Sequence, residues 1–142
     1  MIKTDSNTFN PSTLQVLEAG LHEDDGYLLD VLSSLSKDQI SQHMGGAVCL
    51  AASIQNLQVV EFLLNQEASK YIHPNGENGL GRALFLGCQT GIKAIVERIL
   101  KHQSAHEILE HGRYSLNYAR AAAAAKNHYT ILSILSKNTA SA

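Results

Sequence analysis

Three stretches of the chain repeat one another at a fixed spacing of 36 residues, and no other feature of the sequence narrows the fold as much. Ala47–Gln66 (AVCLAASIQNLQVVEFLLNQ), Ala83–His102 (ALFLGCQTGIKAIVERILKH) and Ala119–Asn138 (ARAAAAAKNHYTILSILSKN) align without a gap. Ala47, Ala83 and Ala119 are identical, and Leu50 matches Leu86. Small residues follow at Ala51, Gly87 and Ala123 and again at Ala52, Cys88 and Ala124. Branched apolar residues then align as Val59/Ile95/Ile131, Val60/Val96/Leu132 and Leu63/Ile99/Leu135. A small-residue stripe, a polar break and a bulky stripe at i, i+1, i+4 predict a helix, a tight turn and a second helix. The breaks are Gln55-Asn56, Thr90-Gly91 and Lys126-Asn127, and Gly and Asn tolerate the left-handed backbone that such a turn needs. One hairpin of this kind cannot hide its own apolar faces, so neighbouring units must stack to build a core.

The string Leu50–Leu64, LAASIQNLQVVEFLL, resembles the ankyrin repeat, in which a leucine and two alanines open the inner helix and Val-Val with Leu-Leu form the outer one. The second unit keeps Leu86, Gly91, Val96 and Leu100, and the third keeps Ala123-Ala124, Asn127-His128 and Leu135. The resemblance implies an all-α, ankyrin-like solenoid of helical hairpins. It also implies protein–protein recognition as the function, either as an adaptor or as a direct inhibitor of a partner. Two departures stand out. The family's opening Thr-Pro-Leu-His is replaced by Gly46-Ala47-Val48-Cys49, Arg82-Ala83-Leu84-Phe85 and Tyr118-Ala119-Arg120-Ala121. The period of 36 exceeds the usual roughly 33, which implies longer connecting fingers. A freestanding chain of this kind, rich in Asn, Ser, Gln and His, is also similar in style to effectors that intracellular bacteria direct at enzymes.

The expected organisation is a flexible N-terminus (1–10), an N-terminal helical cap (11–44), repeats at 45–82, 83–118 and 119–138, and a tail (139–142). The cap reads as a short helix from Pro11 that stops at Gly20, an acidic loop His22–Gly26, and an amphipathic helix Tyr27–Ser36 capped by Asp24 or Asp25. A capping box at Ser36–Gln39 then opens a further helical segment that ends at Gly45-Gly46. This third fits the repeat columns poorly, as an end unit does, and a degenerate fourth unit is the alternative reading.

Length and composition bound the rest. At 142 residues, 44% hydrophobic and 17% charged, the chain is one domain with a real core. A net charge of −2 gives no strong electrostatic drive toward nucleic acid or an anionic membrane, and neither is expected as a partner. No stretch approaches the roughly 18 apolar residues of a membrane helix. The first ten residues lack the apolar run of a secretory signal, and two cysteines do not make a disulfide framework. A cytoplasmic setting is therefore expected.

Chemistry-bearing residues are few. Cys49 with His43 or His73 would make a nucleophile and base, but Cys49 shares a column with Phe85 and Ala121, and a buried thiol is expected. His102, His106 and His111 would make a metal cluster only if one helix ran through Ser104, and His106–His111 misses the H-E-x-x-H spacing by one residue. No cofactor or metal is expected, and an enzyme built on these residues is the alternative function. Asn75–Gly81 is glycine-rich but lacks a phosphate-loop lysine and reads as a finger loop. The two long connections, 67–82 and 103–118, recur at the same place in the repeat. They hold the proposed partner-binding residues Tyr71, His73, Asn75, Glu77, Asn78, Arg82, His111, Arg113, Tyr114 and Tyr118. Ile131, Leu132, Ile134 and Leu135 in the last helix leave little polar surface to seal the stack, so a homodimer through that helix is a further expectation.

Overall fold

Each 36-residue unit folds as two helices joined by a tight turn. The computed structural model describes residues 11–140. The N-terminal segment 1–10 and the last two residues of the expected tail lie outside the described residues. The helices are α1 (Pro11–His22), α2 (Asp25–Leu32), α3 (Lys37–Ser53), α4 (Leu57–Leu64), α5 (Leu80–Thr90), α6 (Lys93–Leu100), α7 (Leu116–Ala125) and α8 (Tyr129–Ala140). Short 3-10 turns occupy Glu67–Tyr71 and Ala105–Glu107, and no strand occurs among the described residues. The protein is all-α.

The apolar columns decide the packing. Helices α1, α3, α5 and α7 pack each on the next in one row, while α4, α6 and α8 pack in order in a second row. Small residues sit where the first row closes up: Ala47, Ala51, Ala52, Ala83, Cys88, Ala119 and Ala123 are fully buried. The branched stripe fills between the rows, with Val59, Val60, Leu63, Ile95, Val96, Ile99 and Leu135 also buried. In the last helix, Ile131 and Leu135 are buried, and Leu132 and Ile134 are half-buried.

One turn recurs through the chain. Gln55, Gly91 and Asn127, spaced 36 apart, all take positive φ (63°, 81° and 60°). In each, the next amide donates to a carbonyl five residues back: Asn56 to Ala51 (2.8 Å), Ile92 to Gly87 (3.2 Å) and His128 to Ala123 (2.8 Å). The N-terminal third contains the same turn. Glu23 has φ 51° and Asp24 N–H donates to Ala19 at 2.9 Å, 32 residues before its counterpart in the next unit. The segment is thus a fourth hairpin, α1 with α2. Its columns miss the 36-residue register because the link from α2 to α3, Ser33–Ser36, carries no finger. Asp24 caps α2 through Tyr27 N–H (3.0 Å), and the Ser36–Gln39 capping box forms as expected (3.2 and 2.9 Å).

Four expected boundaries are wrong, and two of them share a cause. Gly45-Gly46 does not end a helix, because α3 runs unbroken from Lys37 to Ser53, so the division between 44 and 45 falls inside it. Gly20 does not stop α1, which continues to His22. These glycines mark close approach instead of chain reversal. A β-carbon on Gly45 would lie 1.7 Å from the carbonyl oxygen of Asn78, and one on Gly20 would lie 2.8 Å from Val59. The third boundary is α2, which ends at Leu32, short of Ser36. The tail also begins later than expected, since α8 reaches Ala140.

The connections form two matching fingers. Leu80 and Gly81 amides donate to His73 and Pro74 carbonyls (2.9 and 2.8 Å), and Leu116 and Asn117 amides donate to Leu109 and Glu110 (2.8 and 3.0 Å). These four pairs are offset by the same 36 positions. Each finger also lays a carbonyl on a glycine of the preceding inner helix: Asn78 on Gly45 and Tyr114 on Gly81, where a β-carbon would come within 2.2 Å of the oxygen. Gly81→Ala is expected to destabilise the fold by about 3 kcal/mol or more, because the finger backbone must move. Gly112→Ala meets open space and loses only its positive-φ backbone, a cost of about 1–2 kcal/mol. Urea unfolding of the two variants side by side checks the difference.

Candidate functional site

The two finger tips and the starts of α5 and α7 converge on one aromatic and charged cluster. Phe85 stands one turn after Arg82 on α5, Tyr118 lies in the first turn of α7, and Tyr114 closes the second finger. Ring centroids are 4.8 Å apart for Phe85–Tyr118, 5.9 Å for Phe85–Tyr114 and 5.4 Å for Tyr114–Tyr118, the last edge-on. These are favourable aromatic separations. Tyr114 is buried and holds φ 59°, a left-handed backbone uncommon for a bulky residue. Its carbonyl on Gly81 and its ring against Phe85 and Tyr118 hold it there. The Arg82 guanidinium lies 5.6 Å and that of Arg113 4.9 Å from the Tyr114 ring centroid. Glu77 comes to both, at 3.6 Å from Arg82 and 4.0 Å from Arg113. Phe85 is half-buried and Tyr118 is 37% exposed, so the cluster offers ring surface to solvent.

The ten residues expected on a binding surface therefore divide. Glu77, Arg82, Arg113, Tyr114 and Tyr118 come together. Tyr71 and His73 lie at the base of the first finger, Tyr71 near Lys37 and Lys70 (5.5 and 5.4 Å from its ring) and His73 near Asp38 (3.9 Å). Asn75 works inside the fold. Its side chain accepts from Leu109 N–H (3.0 Å) and donates to the Glu107 carbonyl (3.1 Å), tying finger to finger. Asn78 is engaged through its carbonyl at Gly45. His111 accepts from the Asn117 amide (2.8 Å), beside the Arg120–Glu110 ion pair (2.7 Å). Phe85 was not expected at the site. Its signal is a bulky ring in a column otherwise held by Cys49 and Ala121.

The residues of the enzymatic alternative are placed elsewhere. Cys49 and Cys88 are free and buried, and burial pushes both thiols up to about 12, where no nucleophilic thiolate forms near neutral pH. Cys49 Sγ faces the Gly79 carbonyl at 3.7 Å. No helix runs through Ser104, and among the described residues no three His, Cys, Asp or Glu side chains gather to hold a metal ion. His102 is buried with both nitrogens engaged. Ser104 N–H donates to Nδ1 (3.1 Å), so the neutral ring donates from Nε2 to Ser69 Oγ (3.1 Å), which in turn donates to the Leu64 carbonyl (3.0 Å). His43 is buried against Thr13 Oγ1, 2.9 Å from its Nδ1. No helix among the described residues is long and apolar enough to cross a membrane.

No family model, no curated protein and no solved structure matches the chain.

Burial holds His43 and His102 below the ordinary histidine range, with Arg98 adding to the effect at His102. As pH falls below about 6.5 the unfolded chain takes up these protons first, so it binds more protons than the folded state. Stability is therefore expected to fall between pH 7 and pH 5. Urea midpoints across that range should flatten when His43→Gln and His102→Gln are combined.

Proposed function

We propose that the protein is an ankyrin-like repeat module that binds another protein, as an adaptor or a direct inhibitor, through the face built by its finger tips and inner helices. The observation that carries this reading is the Phe85–Tyr114–Tyr118 cluster flanked by Arg82 and Arg113. Aromatic residues and arginine dominate binding hot spots, because they bring large contact area and planar hydrogen-bonding groups. The geometry also favours tight binding. The fingers are fixed by paired backbone hydrogen bonds, by Asn75 and by the glycine seats, so little ordering entropy is lost when a partner docks. The repeated hairpins with projecting fingers support the ankyrin-like assignment. The reading draws on neither cysteine and on no buried histidine.

Affinity capture of a partner, followed by titration of the purified pair, tests it. Tyr118→Ala is expected to weaken binding by about 2 kcal/mol, some thirtyfold in Kd. Tyr129→Ala removes a more exposed ring (68%) on α8 and should leave Kd unchanged. Equal affinities for both variants would remove the finger face as the binding surface.

A further inference from the structure

Building on the finger face as a partner-binding surface, we infer that the partner presents a carboxylate, an Asp or Glu in an acidic segment that also carries an apolar side chain, and that Glu77 holds the place of that carboxylate in the free protein. The two guanidiniums on Tyr114 are positioned as a pair, at 5.6 and 4.9 Å from one ring. A carboxylate hydrogen-bonded to arginine sits at about 2.7–2.9 Å. Glu77 reaches only 3.6 Å from Arg82 and 4.0 Å from Arg113. Arg82 Nη1 donates instead to the Glu77 backbone carbonyl, at 2.9 Å. Glu77 thus neutralises charge without satisfying the guanidinium forks.

Exposure makes Glu77 easy to displace. Its side chain is 64% exposed and that of Arg113 is 69% exposed, so solvent screens their pair and it contributes little. An incoming carboxylate that binds a guanidinium fork in two places gains geometry that Glu77 does not reach. Arg120 lies outside this pair, with its Nη1 on Glu110 at 2.7 Å. With Glu77 swung aside, Arg82 and Arg113 leave this part of the face cationic. Phe85 and Tyr118 pack on the same Tyr114 ring that the two guanidiniums approach, and supply the shelf for the partner's apolar side chain.

A library of random twelve-residue peptides displayed on phage, selected on the full-length chain, is the test. Enriched peptides, synthesised with a fluorophore, are titrated by anisotropy against the parent protein and its variants. The expected peptides share an Asp or Glu. Arg113→Gln weakens them about tenfold, and changing the peptide's acid to its amide gives a similar loss. The two changes together lose little more than either alone, as for groups that meet. Glu77→Gln tightens binding several-fold. Arg113 and Glu77 are exposed, so an unchanged thermal midpoint confirms that both variants fold. Peptides that lose binding with Tyr118→Ala but carry no acid, or ignore Arg113→Gln, overturn the carboxylate and leave the binding face standing. Weaker binding by Glu77→Gln overturns its place-holding role. A selection that yields no peptide, or only peptides indifferent to both Phe85→Ala and Tyr118→Ala, overturns the inference and the binding face together.

Discussion

The contact on which the rest of the molecule depends is a backbone carbonyl resting on a glycine. Asn78 lies on Gly45 and Tyr114 lies on Gly81, and both glycines and both carbonyls are 36 residues apart. The missing β-carbon sets how near each finger lies to the inner helix before it. That distance sets the height of the fingers above α3 and α5, and so the place of every side chain they carry. With its carbonyl seated on Gly81, Tyr114 turns its ring onto Phe85 and Tyr118. In the last unit the column holds Asn117 in place of glycine. There the side chain reaches His111 and Arg120 instead of receiving a finger.

The end of the row is managed by the same logic of columns. Val48 and Leu84 occupy equivalent positions in α3 and α5 and are fully buried. The corresponding residue of α7 is Arg120, whose side chain is 18% exposed and pairs with Glu110 at 2.7 Å. A cation stands where the inner units bury an aliphatic side chain, beside the exposed alanines Ala121, Ala124 and Ala125 of the same helix. In the outer row, Ile131 and Leu135 turn into the preceding hairpin. The apolar run of α8 is thus largely accounted for by packing inside the chain.

Most of the fold was legible in the sequence, because the repeat declares itself through small and branched residues whose spacing has only one helical interpretation. The hairpin turns were legible for the same reason, at Gln55, Gly91 and Asn127. What stayed hidden came from two sources. A glycine in sequence does not say whether it frees the backbone or removes a side chain, and Gly20, Gly45 and Gly81 all do the second. Spacing alone does not separate the two kinds, since the finger glycines Gly76 and Gly112, both at positive φ with open space around them, are also 36 residues apart. The first hairpin was obscured by a link without a finger, which shifts Ala19, Glu23 and Asp24 four positions from the columns they belong to. Of the candidate site, five of the ten expected residues meet. The others could not be sorted from sequence, because a polar finger residue that binds its neighbour and one that faces solvent have the same composition. Asn75 is the clear case.

The residues of the candidate face are those that break the repeat while the backbone keeps it. Gly46, Arg82 and Tyr118 share one column, Cys49, Phe85 and Ala121 another, and Asn78 and Tyr114 a third. Glu77 and Arg113 are also equivalent, one on each finger, and their opposite charges meet at 4.0 Å. A repeat makes adjacent fingers alike in shape, so any difference in their side chains appears as a difference between neighbours a few ångströms apart. In this chain the second finger and the start of α5 carry the cations and most of the rings, and the first finger carries the carboxylate. The left-handed backbone at Tyr114 costs about 1 kcal/mol or more. It is held by a carbonyl seat that the repeat supplies and by two rings, Phe85 and Tyr118, that the other units lack. The repeated columns thus provide a frame stiff enough to hold one strained aromatic residue within reach of two arginines, and the departures from the repeat determine what that frame displays.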